Sequence, residues 1–135
     1  MQLVQTQLEY LAAQSIAARQ KAYSPYSQFQ VGAAILGADQ KIYLGCNVEN
    51  ASYGLTICAE RNAVFAMVAA GCREILAVSI ALPGGGTPCG ACRQVLVEFG
   101  RGFPVLIVDS TTGQVKSQWN IEDLLPAAFR PESLH

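Results

Sequence analysis

The sequence predicts an α/β protein, a three-layer α/β/α arrangement around a mixed five-stranded sheet with helices on both faces. Three observations carry that prediction. An apolar stripe at helical spacing opens the chain, two apolar runs follow that are joined by a short turn, and two helix-forming stretches then each lead into a further apolar run.

The first helix is expected from about Leu3 to Tyr23, with Val4, Leu8, Leu11, Ala18 and Ala22 on one stripe. Ser24-Pro25 ends it, because the residue before a proline is pushed out of helical conformation. Phe29 to Leu36 and Lys41 to Cys46 read as strands, and Gly37-Ala38-Asp39-Gln40 between them makes the pair an antiparallel hairpin. A second helix begins after Cys58, runs through Arg61-Asn62-Ala63-Val64-Phe65-Ala66-Met67-Val68-Ala69-Ala70 and closes at Gly71. It leads to a strand at Leu76 to Leu82. Pro83-Gly84-Gly85-Gly86-Thr87 then reads as a flexible approach to a third helix, Cys89 to Phe99, with Val95, Leu96 and Phe99 on one face and Gly100 as its stop. Val105 to Val108 is the next strand, and these two helix crossings favour parallel neighbours. Gln114 to Trp119 adds a fifth strand and Ile121 to Leu125 a short helix. No repeat, charge block or linker divides the chain, so residues 1–135 are expected to form one domain.

Composition narrows the partners. Of 135 residues 51% are hydrophobic and only 14% charged, and mean hydropathy is +0.26, so a lone monomer would leave apolar surface uncovered; burial between like subunits is the simplest outlet. No apolar run approaches the roughly 18 residues of a spanning helix. The start, Met1-Gln2-Leu3-Val4-Gln5-Thr6-Gln7, lacks the basic and apolar regions of a signal peptide, which makes a cytoplasmic location the expectation. Five cysteines, an odd number, suit a reducing compartment and metal binding better than a disulfide framework. A net charge of -1 with nine scattered Lys and Arg argues against a nucleic-acid polymer as substrate.

The chemistry gathers at Cys58-Ala59-Glu60 and, some way on, Pro88-Cys89-Gly90-Ala91-Cys92. Three thiols and one carboxylate suit a single zinc ion. Three protein ligands leave tetrahedral zinc one open position, where a catalytic site holds water. Glu60 then serves as general base and acid for that water without coordinating. Both cysteine groups fall at helix N-termini, where amide hydrogens and the helix dipole favour thiolates. Three thiolates on a divalent ion make a net negative complex and a poor Lewis acid, so at least one of Arg61 and Arg93 is expected to hydrogen-bond the sulfurs and withdraw charge.

Plainer readings stand beside these. Cys89-Gly90-Ala91-Cys92 alone would read as a redox dithiol or half a zinc knuckle, and Cys46 or Cys72 could close a structural site of four sulfurs. Glu60 alone would be a first-turn glutamate serving the helix dipole, Asn47-Val48-Glu49-Asn50 a polar loop, and Phe29 and Phe129 core or interface. The glycine loop is no phosphate cradle, since no Gly-Lys-Ser/Thr follows. The single histidine is His135, so neither a Ser-His-Asp or Cys-His mechanism nor a histidine-rich metal site is expected.

A Cys-x-Glu followed by Pro-Cys-x-x-Cys is the general pattern of zinc deaminases. Tyr23-Ser24-Pro25-Tyr26-Ser27, Phe29-Gln30-Val31-Gly32-Ala33-Ala34, Gly45-Cys46-Asn47-Val48-Glu49-Asn50-Ala51-Ser52-Tyr53, Cys58-Ala59-Glu60-Arg61, Pro88 to Gln94 and Leu124-Leu125-Pro126 with Phe129 follow in order. Together these blocks resemble the small, all-cysteine cytidine deaminases over nearly the whole chain. The resemblance implies a cytidine deaminase-like fold and one Zn²⁺ per subunit on Cys58, Cys89 and Cys92. Glu60 would shuttle protons to the ring nitrogen and the leaving ammonia as water attacks C4 of cytosine. It further implies that Asn47 and Glu49 hold the ribose hydroxyls, that Phe29 lies against the pyrimidine and that the backbone at Ala59 reads the base edge. In similar enzymes Tyr53 and Phe129 reach a neighbouring subunit's site, so a homotetramer with shared sites is implied. The expected reaction is hydrolytic deamination of cytidine and 2′-deoxycytidine in pyrimidine salvage. A blasticidin S-type deaminase and a non-catalytic zinc-stabilised oligomeric module are the alternatives.

Overall fold

A computed structural model describes residues 3–134; His135 and the first two residues of the chain lie outside the described residues. Helix α1 spans Gln5–Arg19, strands β1 and β2 span Gly32–Gly37 and Ile42–Cys46, and helix α2 spans Ala59–Ala69. Strand β3 is Ile75–Leu82, helix α3 Gly90–Val97, strands β4 and β5 Pro104–Asp109 and Gln114–Asn120, and helix α4 Ile121–Leu124. The five strands form one sheet in the order β2-β1-β3-β4-β5.

Strand alternation sorts the core into two layers. Ala33 and Ile35 of β1, Val78 and Ile80 of β3, and Val105 and Ile107 of β4 face Ala63, Val64 and Met67 of α2, Leu96 and Val97 of α3 and Ile121 of α4. On the opposite side Ala34, Leu36 and Ala77 meet Leu11 of α1, while Ala81, Leu106 and Val108 meet Ala12. The three-layer α/β/α expectation therefore holds, with α1 alone covering one face. One buried polar pair crosses that layer: the Ser15 and Ser79 hydroxyls lie 2.8 Å apart, and Ser15 Oγ also donates to the Ala12 carbonyl.

Three details depart from the sequence reading. The stripe on α1 is narrower than expected: Val4 is exposed, and the helix stops at Arg19 because Tyr23 pairs with the Asn47–Glu49 backbone instead, its N–H donating to the Asn47 carbonyl and its own carbonyl accepting from the Glu49 N–H. Strand β1 begins at Gly32 rather than Phe29, because the Asn47 side chain stands in for a strand there, accepting from Val31 N at 2.9 Å and donating to the Phe29 carbonyl at 2.7 Å. Of the two helix crossings only the one through α3 joins parallel neighbours, β3 and β4. Around α2, β2 and β3 point the same way, but β1 sits between them and pairs antiparallel with both.

The glycine loop, expected to be a flexible approach, is tied down at Gly84. Its N–H donates to Asp109 Oδ1 at 2.9 Å and its carbonyl accepts from Lys116 Nζ at 2.8 Å, with Gly84 and Gly85 both at positive φ.

Close approach of α2 to β2 depends on Gly45. A Cβ there would lie 2.3 Å from the Ala59 carbonyl oxygen and 2.4 Å from Ala63 N, both backbone atoms that cannot swing away. Gly45→Ala must therefore displace the first turn of α2, and overpacking of this kind costs about 1–3 kcal/mol. Urea unfolding should show the midpoint falling with an unchanged m-value; an unaltered midpoint would remove Gly45 as the determinant of this contact.

Candidate functional site

Two helix starts build the site. Cys58 is the N-cap residue of α2 and Cys89 that of α3; both have extended backbone, and neither uses its side chain as a helix cap. Their sulfurs are left free to face each other. Cys92, in the first turn of α3, is fully buried and brings the third sulfur, so that the Sγ atoms of Cys58, Cys89 and Cys92 all lie within 4.8 Å of one another. Cys89 and Cys92 Sγ are 3.5 Å apart. Tetrahedral zinc with bonds of about 2.3 Å separates its sulfurs by about 3.8 Å, so the three cysteines fit the ion with a small adjustment. Cys46 and Cys72 fall outside this group: Cys46 ends β2, and Cys72 Sγ donates to the Glu74 carbonyl. Among the described residues no fourth cysteine closes the site.

Electrostatics mark the same cluster. The Cys58 thiol is held well below its usual range, first by its hydrogen bond with Cys92 and also by the Arg61 guanidinium. That shared contact, together with burial, pushes Cys92 up. Arg61 Nη2 donates to Cys58 Sγ at 3.4 Å, and Arg61 Nε is buried with no partner, so the guanidinium keeps a further donor beside the sulfurs. Glu60 follows in the first turn of α2 and is only 5% exposed. Burial pushes its carboxyl up and the Cys58 thiolate adds to this, while a contact with the Cys92 thiol acts the other way. A carboxyl so enclosed and in contact with a sulfur of the cluster is well placed for proton transfer.

Arg93, the other arginine expected to tune the sulfurs, bonds elsewhere. It donates to the Pro88 carbonyl at 2.7 Å, the Leu124 carbonyl at 2.8 Å and Thr87 Oγ1 at 3.0 Å, because its side chain runs back along the loop that enters α3. It clamps the Pro88-Cys89 turn onto α4 rather than donating to a thiolate.

The remaining candidates occupy the surroundings. Ala59 is fully buried with its carbonyl against Gly45. Asn47 is buried and uses its amide on the Phe29 and Val31 backbone, keeping one N–H and one lone pair for other partners. Glu49 accepts at Oε1 from the N–H groups of Tyr26 (2.9 Å) and Ser27 (3.2 Å), and at Oε2 from the Ser27 hydroxyl, which hold its carboxyl below the usual carboxylate range. Glu49 and Tyr53 line a cavity of about 240 Å³ with Tyr26, Ser27 and Thr56. The Tyr53 ring, on a 3₁₀ turn at Tyr53–Leu55, meets that of Tyr26 edge-on at 5.7 Å. Phe29 is exposed, Tyr53 is 73% exposed and Phe129 58%, with the Phe129 carbonyl accepting from Gln94 Nε2. Thus Cys58, Cys89, Cys92, Glu60 and Arg61 come together within the chain, whereas Phe29, Tyr53 and Phe129 present their rings to solvent. Sequence reasoning missed Asn62, whose Nδ2 donates to the Cys46 carbonyl and ties α2 to β2, and the role of Ser27; an asparagine one turn into a helix and a serine in a loop carry no distinctive local signal.

Comparison with known proteins agrees with this geometry. The model of the cytidine and deoxycytidylate deaminase zinc-binding region matches residues 5–108. A cytidine deaminase of Sporosarcina psychrophila is 44% identical over 129 residues, covering 94% of each chain, and one of Halalkalibacterium halodurans is 40% identical over 133 residues, covering 94% of this chain and 97% of that one. Among solved structures, cytidine deaminase from Burkholderia pseudomallei superposes with a TM-score of 0.84 at 45% identity, over 94% of this chain and all of that one. With the sulfur cluster, the buried glutamate and the five-stranded sheet already in place, this chain belongs to the zinc-binding cytidine and deoxycytidylate deaminase family.

Proposed function

We propose that the chain catalyses the zinc-dependent hydrolytic deamination of cytidine and 2′-deoxycytidine to uridine and 2′-deoxyuridine, with release of ammonia. The observation that carries the proposal is the trio of sulfurs on Cys58, Cys89 and Cys92 with the buried Glu60 carboxyl beside them. When bound, zinc supplies Lewis-acid activation of water. Glu60 takes the proton of the attacking water and delivers protons to the ring nitrogen and the departing amine; its buried, low-dielectric setting raises its affinity for a proton, as a shuttle requires. Asn47 and Glu49 hold sugar hydroxyls, the Phe29 ring lies against the pyrimidine and the backbone at Ala59 reads the base edge.

Assembly completes the site. Tyr53 and Phe129, together with Leu55 and Phe65, leave large apolar groups in solvent. In a homotetramer Tyr53 and Phe129 enter a partner's site, which accounts for large rings left mostly exposed on the single subunit. Residues 1–135 act as one catalytic domain, working in the cytoplasm in pyrimidine salvage. No helix among the described residues is long and apolar enough to cross a membrane.

Incubating zinc-loaded protein with cytidine and following the cytosine absorbance band tests the reaction directly. Loss of the band with ammonia release is expected. No change would favour a zinc-stabilised module, and turnover confined to blasticidin S in a substrate panel would favour the antibiotic deaminase.

Arg61→Gln tests charge withdrawal at the sulfurs. Removing a partner that supports a metal ligand typically lowers metal affinity or activity by about 10–100-fold, and a loss in this range is expected. Zinc retention and turnover both equal to wild type would exclude the role.

A further inference from the structure

Ser27 sits where two parts of the proposed nucleoside site meet. Its hydroxyl donates to Glu49 Oε2 and accepts from the Phe29 N–H at 3.0 Å. The same loop supplies the N–H groups of Tyr26 and Ser27 to Glu49 Oε1. Between Ser27 and Phe29 the chain reverses through Gln28, a non-glycine residue in left-handed conformation at φ 59°. Such a conformation persists only where its surroundings hold it. Here Gln28 N donates to the Ser24 carbonyl at 3.0 Å and Gln28 Nε2 to the Pro25 carbonyl at 3.1 Å. Beyond the bend, the Phe29 carbonyl accepts from Asn47 Nδ2 at 2.7 Å. Both backbone polar groups of Phe29 are therefore gripped by side chains, Ser27 on one side and Asn47 on the other.

We infer that Ser27 is a positioning residue that couples Glu49 to Phe29, so that one hydroxyl aims the acceptor for sugar hydroxyls and fixes the ring that lies against the base. The inference rests on the reading of Glu49 as that acceptor. A hydroxyl is required because only a group that donates and accepts at once serves both partners. Alanine removes both bonds. Threonine keeps them, and valine has the shape of threonine without its hydroxyl. Glu49 without Ser27 keeps two N–H donors on Oε1 but loses the bond that orients Oε2, the oxygen left for a ligand in the cavity shared with Tyr53 and Thr56.

Steady-state kinetics on cytidine and on 2′,3′-dideoxycytidine, which lacks both secondary hydroxyls, separate this role from a structural one. In Ser27→Ala the ratio of kcat/KM for cytidine to that for the dideoxy analogue should fall about tenfold, the loss of one charge-assisted hydrogen bond, mainly through KM for cytidine. Ser27→Thr should restore the ratio to within about threefold of wild type. Where Ser27→Ala fails to fold, Ser27→Val compared with Ser27→Thr carries the same test. A ratio unchanged in Ser27→Ala but lowered in Glu49→Gln overturns the inference and leaves the reading of Glu49 standing. A ratio unchanged in both variants overturns that reading and the inference with it. An equal loss for the two nucleosides, with a lowered Tm and no rescue by threonine, makes Ser27 structural and also overturns the inference.

Discussion

Glu60→Gln should lower kcat for cytidine by about 10²–10⁴-fold, the span attributed to a positioned general acid–base. Bound zinc should stay near that of the unaltered protein. The two parts of that expectation have different origins. Glutamine keeps the shape and hydrogen-bonding reach of the side chain but cannot carry a proton between water, ring nitrogen and amine. On the proposed reading zinc rests on the sulfurs, and Glu60, at the start of α2, is not one of the three donors. Burial favours the neutral amide over the ionised carboxylate, so the substitution should not destabilise the fold, and Tm should hold or rise. Turnover by single-wavelength absorbance, zinc by elemental analysis and Tm by calorimetry on one preparation check all three. Turnover within a few-fold of wild type would end the proton-shuttle role. Loss of zinc would instead make Glu60 a ligand, or the holder of one.

Removing a sulfur should be more damaging still. Zinc held by thiolates and imidazoles in small domains contributes about 10–16 kcal/mol, so the loss of one ligand should weaken binding roughly 10²–10³-fold. Cys92→Ser and Cys89→Ser are both expected to lose zinc and turnover together, yet their structural cost should differ. Cys92 is fully buried in the first turn of α3, whereas Cys89 is exposed at its cap. The shorter C–O bond draws a serine hydroxyl back from the Cys58 and Cys89 sulfurs that the Cys92 thiol meets, and burying a hydroxyl with such incomplete pairing costs about 1–3 kcal/mol. Cys92→Ser should therefore lower the unfolding midpoint of the metal-depleted protein, and Cys89→Ser should leave it nearly unchanged. Competitive titration with a chelating dye reads the affinities, and urea unfolding after chelation reads the stabilities. Full zinc retention in either variant would show that the ion does not rest on that sulfur.

Much of this site was legible in the chain because its signals are local. Cys58 and Glu60 stand two residues apart, Cys89 and Cys92 three apart, and each pair opens a run rich in helix formers; the placement of both pairs at helix starts followed from that. The division between Arg61 and Arg93 was not legible. Both follow a motif residue, but Arg61 turns toward Cys58 while Arg93 is drawn away by the carbonyls of Pro88 and Leu124, and the second of these is brought near only by the packing of α4 on α3. Strand boundaries near Phe29 were hidden for a similar reason, since the partner there is the side chain of Asn47, many residues along.

Residue chemistry and periodicity determined the class of fold, the candidate set of three sulfurs with a non-coordinating carboxyl beside them, and their helix-start positions, because each of these is decided within a few residues of chain. Tertiary structure alone decided that β1 lies between β2 and β3, that Gly45 lets the first turn of α2 lie close against β2, and that Ser27 joins Glu49 to Phe29. These depend on contacts between segments far apart in the chain, whose free energies exist only once the sheet has drawn them together.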